Sequence, residues 1–221
     1  MPVVIFGASG CCGIEAVVQG DLADSAAVSA AVQGASAVLF LAGGPVDRKY
    51  QGGFLLPVLE GLVSAMIEHK VGRLFVQLGA LCVAPAAMMP NEELGPLKRY
   101  VLRGIVSPYL SPFHGCHVDN DAAMDYFAAL PADLPLQWTL TRPTALLPEE
   151  GGFGDGPSRG ALVAAEYLAL PSENGATFCD VGALYAAALE QDDPKWFCKA
   201  PHLRYARKDD SDGPASACNL M

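Results

Sequence analysis

The chain has 221 residues, of which 52% are hydrophobic and 17% charged, enough apolar side chain to bury a sizeable core and too little charge for global disorder. Fourteen Lys+Arg against twenty-four Asp+Glu leave a formal net charge of −10, which argues against duplex nucleic acid or an anionic membrane surface as the main partner. No apolar run approaches the roughly 18 residues of a membrane span, the first six residues carry no basic region and read as no signal peptide, and seven scattered cysteines read as reduced thiols of a cytoplasmic protein.

Val3-Val4-Ile5-Phe6 is a short β-branched and aromatic run that ends at glycine and predicts a buried strand. The run Gly7-Ala8-Ser9-Gly10-Cys11-Cys12-Gly13 follows, and Ala16-Val17-Val18-Gln19 reads as a second strand. After the turn Gly20-Asp21-Leu22, Asp24 or Ser25 caps a helix that extends to Gln33. Ala37-Val38-Leu39-Phe40-Leu41-Ala42, closed by Gly43-Gly44-Pro45, has the continuous apolar character of a central parallel strand. A helix over 53–69 carries Leu55, Leu59, Leu62, Val63, Met66 and Ile67 at helical spacing. Residues 74–78 form another strand; 79–119 read as long loops with short helical pieces; 121–130 form a short amphipathic helix. Trp138-Thr139-Leu140-Thr141 is a strand ending at Arg142-Pro143, 151–160 is a Gly-rich loop, and 181–189 is a last helix. Strands alternating with helices predict an α/β, doubly wound parallel sheet over 1–207, and 208–221 reads as a disordered tail.

Gly7, Gly10 and Gly13 form G-x-x-G-x-x-G directly after the first strand. Such glycines let the backbone turn sharply and approach a pyrophosphate, which the N–H groups of a following helix then hold. With Gly20-Asp21-Leu22, Ala42-Gly43-Gly44, Gly72-Arg73-Leu74-Phe75-Val76 and above all Trp138-Thr139-Leu140-Thr141-Arg142-Pro143, the chain resembles the atypical short-chain dehydrogenase/reductases, in their NAD(P)-binding, NmrA-like and flavin/biliverdin-reductase-like branch. The resemblance implies a Rossmann-like fold, NADP or NAD as cofactor and a small-molecule substrate. It also implies that Gly7, Ser9, Gly10 and Gly13 face the pyrophosphate and that Asp21 and Leu22 meet the adenine. Ala42, Gly43 and Gly44 would then pack under the adenosine, with Gln77, Gly79, Pro143 and Thr144 flanking the nicotinamide.

Two departures qualify this picture. Only eight residues separate Gly7 from Ala16, whereas a parallel crossover needs about a dozen or more. Relative to the family the chain therefore lacks the first helix and the second strand, with a seam near 13–15. Either a deletion, a splicing event or a mis-assembled gene model removed them, taking half of the cofactor site, or the fold diverged and never bound a dinucleotide. The second departure is catalytic. Gly79 and Ala80 offer no hydroxyl where the wider family places a serine, and Tyr100 is followed four residues on by Gly104 rather than the lysine that would lower its pKa. Tyr100, His114 and His117 remain candidate proton donors, without a firm catalytic assignment. A reductase, a non-catalytic dinucleotide sensor and a degenerate variant without cofactor are all open.

Other constellations carry less. His114-Gly115-Cys116-His117 with Asp119 and Asp121 has metal-ligand residue types but no distant second pair, so it reads as a polar loop beside the substrate pocket, with no metal assigned. Cys11-Cys12 reads as structural. Cys218-Asn219-Leu220-Met221 fits a prenylation box, although the acidic stretch upstream gives a single lipid little help in holding a membrane.

Overall fold

The computed structural model describes residues 2–7, 19–45, 47–79, 82–89, 101, 113–143, 146–147, 162–165, 176–191 and 194–205. In chain order these form β1 (Val3–Phe6), α1 (Ser25–Val32), β2 (Ala37–Phe40), α2 (Leu55–Glu68), β3 (Arg73–Gln77), α3 (His114–Ala129), β4 (Gln137–Pro143), β5 (Leu146–Leu147), β6 (Leu162–Ala165), β7 (Ala176–Thr177), α4 (Phe178–Gln191), a 3₁₀ turn (Pro194–Trp196) and β8 (His202–Tyr205). Six strands make one sheet in the order β1-β2-β3-β4-β8-β6, parallel throughout except where β6 runs antiparallel to β8. β5 and β7 pair separately, in parallel. This is the expected Rossmann-like, mostly parallel α/β sheet.

The strand alternation sorts side chains onto two faces. On one face Val38, Phe40, Leu74, Val76, Trp138 and Leu140 meet α1, α2 and α3 through Val28, Leu59, Met66 and Phe127. On the other, Leu39, Phe75 and Leu203 meet Leu162, Val181 and Tyr185, the last two from α4. All four residues of β2 are buried, which explains its uninterrupted apolar sequence. α1 begins where Asp24 accepts from the N–H groups of Ala26 and Ala27 at 2.9 and 3.3 Å, as its sequence position predicts. α2 buries Leu55, Leu59, Leu62, Val63 and Met66. Ile67, which shares their spacing, is instead 38% exposed.

Three expectations change. Residues 114–120 are not a loop: α3 starts at His114, two turns ahead of the predicted start at Asp121, so the His-Cys-His segment is helical. Its glycine and polar residues disguise the helix, because the apolar contact that would reveal it lies further on, at Ala123, Met124 and Phe127. β6 and β8 lie where the sequence pattern predicts no strand. β8 alternates His202 and Arg204 with Leu203, and these two polar residues are nonetheless buried, at 1% and 8% exposure. The polar character that hides this strand in the sequence is thus internal.

β1 has one neighbour among the described strands, β2, paired from Val3↔Ala37 to Phe6↔Phe40. Ile5 on this edge is 41% exposed. The proposed strand at 16–19 falls on residues 16–18, outside the described residues, and Gln19 is not in a strand. Gly10, Gly13, Ser9, the loop at 151–160 and the tail from 208 also lie outside them.

Candidate functional site

The C-terminal ends of parallel strands are where an open α/β sheet binds ligands. At this edge Gly7, with φ +83°, is pressed against the end of β2: a Cβ on it would lie 2.6 Å from the Ala42 nitrogen. Only glycine accommodates both the dihedral and the approach. One residue past Ala42, Gly43 is exposed, and a Cβ there would meet nothing within 4 Å. Gly44 is different, since a Cβ on it would lie 2.6 Å from the ring carbon Cζ and the hydroxyl of Tyr50. The turn after β2 therefore has one open side and one roofed side. Gly7, Ala42, Gly43 and Gly44 come together here. Asp21 does not reach them through any hydrogen bond: its carboxylate is exposed and accepts from the Ala23 N–H at 2.9 Å, forming the turn into α1. Leu22 packs against the α1–α3 core.

Tyr50 is fixed from the far side by α3. Its hydroxyl donates to Asp119 Oδ2 at 2.5 Å. The other oxygen of Asp119 accepts from the N–H groups of Gly53 and Phe54 at 2.6 and 3.2 Å. Phe54 already has helical dihedrals, so this carboxylate sits at the positive end of α2. Asp119 is 3% exposed. Burial, and next the hydrogen bond to Asp119, push the Tyr50 phenol up to about 12. Burial also raises the Cys116 thiol, with the Asp119 charge adding to it; the thiol donates to the Pro45 carbonyl at 3.5 Å. Sequence reasoning grouped Asp119 with possible metal ligands and missed Tyr50 altogether. The flanking Gly52 and Gly53, at φ +87° and +99°, were the available signal of a tight strap.

At the ends of β3 and β4, Gln77 pairs in register with Thr141. The Tyr185 hydroxyl from α4 donates to Gln77 Oε1 at 3.4 Å and lies 2.5 Å from Thr141 Oγ1, which itself donates to the Val76 carbonyl. Burial holds the Tyr185 phenol far above its ordinary value. Gly79 faces α3, where a Cβ would lie 2.8 Å from Asn120 Nδ2. Pro143 is buried and pairs with Leu203, while Thr144 lies outside the described residues. A cavity of about 60 Å³ between the sheet and α4 is lined by Arg73, Thr139, Thr141, Tyr185, Gln191 and apolar side chains. It includes none of the glycines.

Of the candidate proton donors, Tyr100 lies outside the described residues. His114 and His117 share the first turn of α3. His117 is 8% exposed, and burial, followed by the charge of His114, lowers its pKa. Among the described residues no group of three His, Cys, Asp or Glu side chains is arranged to hold a metal ion. No described helix is long and apolar enough to cross a membrane. Cys218 is outside the described residues.

Gly43 leaves its side of the turn open, while the space beside Gly7 is taken by the Ala42 backbone. No curated protein matches the chain. Among solved structures the chain is similar to a protein from Lactobacillus casei (18% identity, TM-score 0.58, 81% of this chain and 74% of that one). It is also similar to an anaerobillin reductase from Escherichia coli O157:H7 (15% identity, TM-score 0.50, 89% and 76%). These likenesses show the Rossmann fold. The family described as NAD(P)H-binding matches residues 13–164, more than half of the chain. That match supports a nicotinamide dinucleotide as the cofactor class and an oxidoreductase-like role in general terms, and with it the chain belongs to the NAD(P)H-binding family.

Proposed function

We propose that the chain is a cytoplasmic NAD(P)H-dependent oxidoreductase-like protein that passes hydride to a small organic or flavin-like acceptor. The observation that carries this reading is the glycine pair at the sheet edge: Gly7 packed backbone to backbone on Ala42, and Gly43 open beside it. In this reading Gly7, Ser9, Gly10 and Gly13 approach the pyrophosphate, Asp21 and Leu22 the adenine, and Ala42, Gly43 and Gly44 the adenosine. Gln77, Gly79, Pro143 and Thr144 flank the nicotinamide, which supplies the hydride when bound. Because Tyr185 donates to the carbonyl oxygen of Gln77, that side chain keeps its amide N–H groups as donors toward the ring.

A second reading is a non-catalytic, NmrA-like dinucleotide sensor. What favours it is the lack of an obvious proton donor among the described residues: Gly79 stands where a hydroxyl is needed, and His117 is buried with its charged form disfavoured. The domain at 1–207, the tail at 208–221 and a prenyl anchor at Cys218 are further proposals carried from the sequence alone.

The test is a fluorescence titration of the folded protein with NADPH and NADH, repeated for Gly43→Leu. Saturation of the parental protein in the micromolar range, lost in Gly43→Leu at unchanged circular dichroism, is the expected result. A folded parental protein that binds neither dinucleotide overturns both readings. Where binding is found, oxidation of NADPH by quinone, flavin or carbonyl acceptors separates the reductase from the sensor.

A further inference from the structure

We propose that Tyr50 is the wall that positions the adenosine half of the dinucleotide over the Gly43-Gly44 turn, with Asp119 as the positioning residue behind it; this rests on the dinucleotide reading above. The turn offers a ligand a single way in. The Gly43 side is open, and the Gly44 side is closed by the Tyr50 ring, whose Cζ and hydroxyl stand where a Cβ of Gly44 would. A flat base or ribose lying on Gly43 slides along the backbone until it meets that ring. An aromatic edge beside a heterocycle is a favourable contact.

The ring can serve as a wall because it cannot swing aside. Its backbone is held by α3: a Cβ on Gly115 would lie 2.6 Å from the Tyr50 carbonyl carbon, so the two backbones are in direct contact. Its hydroxyl is tied to Asp119, a buried carboxylate that also gathers the Gly53 and Phe54 N–H groups. Gly52 closes the strap against α3, where a Cβ would lie 2.9 Å from Val118 Cγ1. The strap at 47–54 thus has three attachments to one helix, and the ring they hold faces the turn that carries the ligand. The phenol stays protonated up to about pH 12, so the tether holds throughout the physiological range.

The experiment compares the parental protein with Tyr50→Phe and Tyr50→Ala for binding of NADPH, ADP-ribose and nicotinamide mononucleotide, with thermal midpoints recorded in parallel. Tyr50→Ala is expected to weaken NADPH and ADP-ribose binding roughly tenfold and to leave nicotinamide mononucleotide unchanged. Tyr50→Phe, which keeps the ring but lacks the tie to Asp119, is expected to recover only part of that loss, the remainder reporting the positioning by Asp119. Affinity that follows the thermal midpoints rather than the ring overturns the wall, and so does an equal loss for both fragments. A parental protein that binds NADPH with Tyr50→Ala unchanged overturns the wall alone; a parental protein that binds none of the three overturns the wall and the dinucleotide reading together.

Discussion

Gly7 and Ala42 meet backbone to backbone at the ends of β1 and β2, and the Gly7 dihedral of +83° makes that approach possible. Gly7→Ala adds a Cβ 2.6 Å from the Ala42 nitrogen, and neither main chain can retreat without parting the two strands. Left-handed strain of about 1–2 kcal/mol and an overpacking cost of about 1–3 kcal/mol then act together. Gly34 supplies the control. Its φ is +80° and a Cβ there would meet nothing within 4 Å, so Gly34→Ala carries only the dihedral cost of about 1 kcal/mol. Urea denaturation midpoints of the two variants are expected to fall in that order, with Gly7→Ala clearly the lower.

Asp119→Ala strips the Tyr50 hydroxyl and the Gly53 N–H of their acceptor and leaves the Phe54 N–H only the Tyr50 hydroxyl, at 3.2 Å. Loss of a helix cap costs about 0.5–2 kcal/mol, and each buried donor left unpaired about 1–3 kcal/mol. The part-buried strap admits water, which offsets some of this, so a net loss of roughly 2–3 kcal/mol is expected. Chemical denaturation measures it. Faster hydrogen exchange at Gly53 and Phe54 than at the buried middle of α2 would show that the loss begins at the helix entry.

The pH dependence of stability has a definite sign at His117. Burial first, and the charge of His114 second, depress its pKa below the ordinary 6.5. The unfolded chain therefore takes up this proton at a higher pH than the folded one. The contribution is fully present above about pH 6.5 and is lost as pH falls through the lowered folded value. Denaturation midpoints measured at about pH 7.5 and about pH 5.5 should fall less in His117→Gln than in the parental protein. An identical fall in both would exclude His117 as the source.

What the sequence made legible follows from how local its signals are. The wholly buried β2, the Asp24 cap and the apolar stripe of α2 announce themselves within a few residues, and the structure has them where they were expected. The start of α3 was hidden because its first turns face the strap at 47–54 rather than the apolar core. His202 and Arg204 disguised β8 because buried polar side chains of this kind run against the usual pattern of strand sequences. Within the site, glycines are legible because their backbone freedom is a property of the residue itself. The tie between Tyr50 and Asp119 spans 69 positions of sequence, and no periodicity or short motif encodes a contact of that range.

The carboxylates that start α1 and α2 have a consequence for long-range electrostatics. Asp24 and Asp119 already occupy the positive ends of these two helices, so neither macrodipole is free to attract phosphate. The chain as a whole carries a net charge of −10. A dinucleotide therefore approaches against a repulsive field, which mobile ions weaken. Raising the ionic strength from about 0.01 M to about 0.15 M shortens the screening length from about 30 Å to about 8 Å. The dissociation constant for NADPH should accordingly fall with added salt, opposite to the trend of sites that capture phosphates with clustered lysine and arginine.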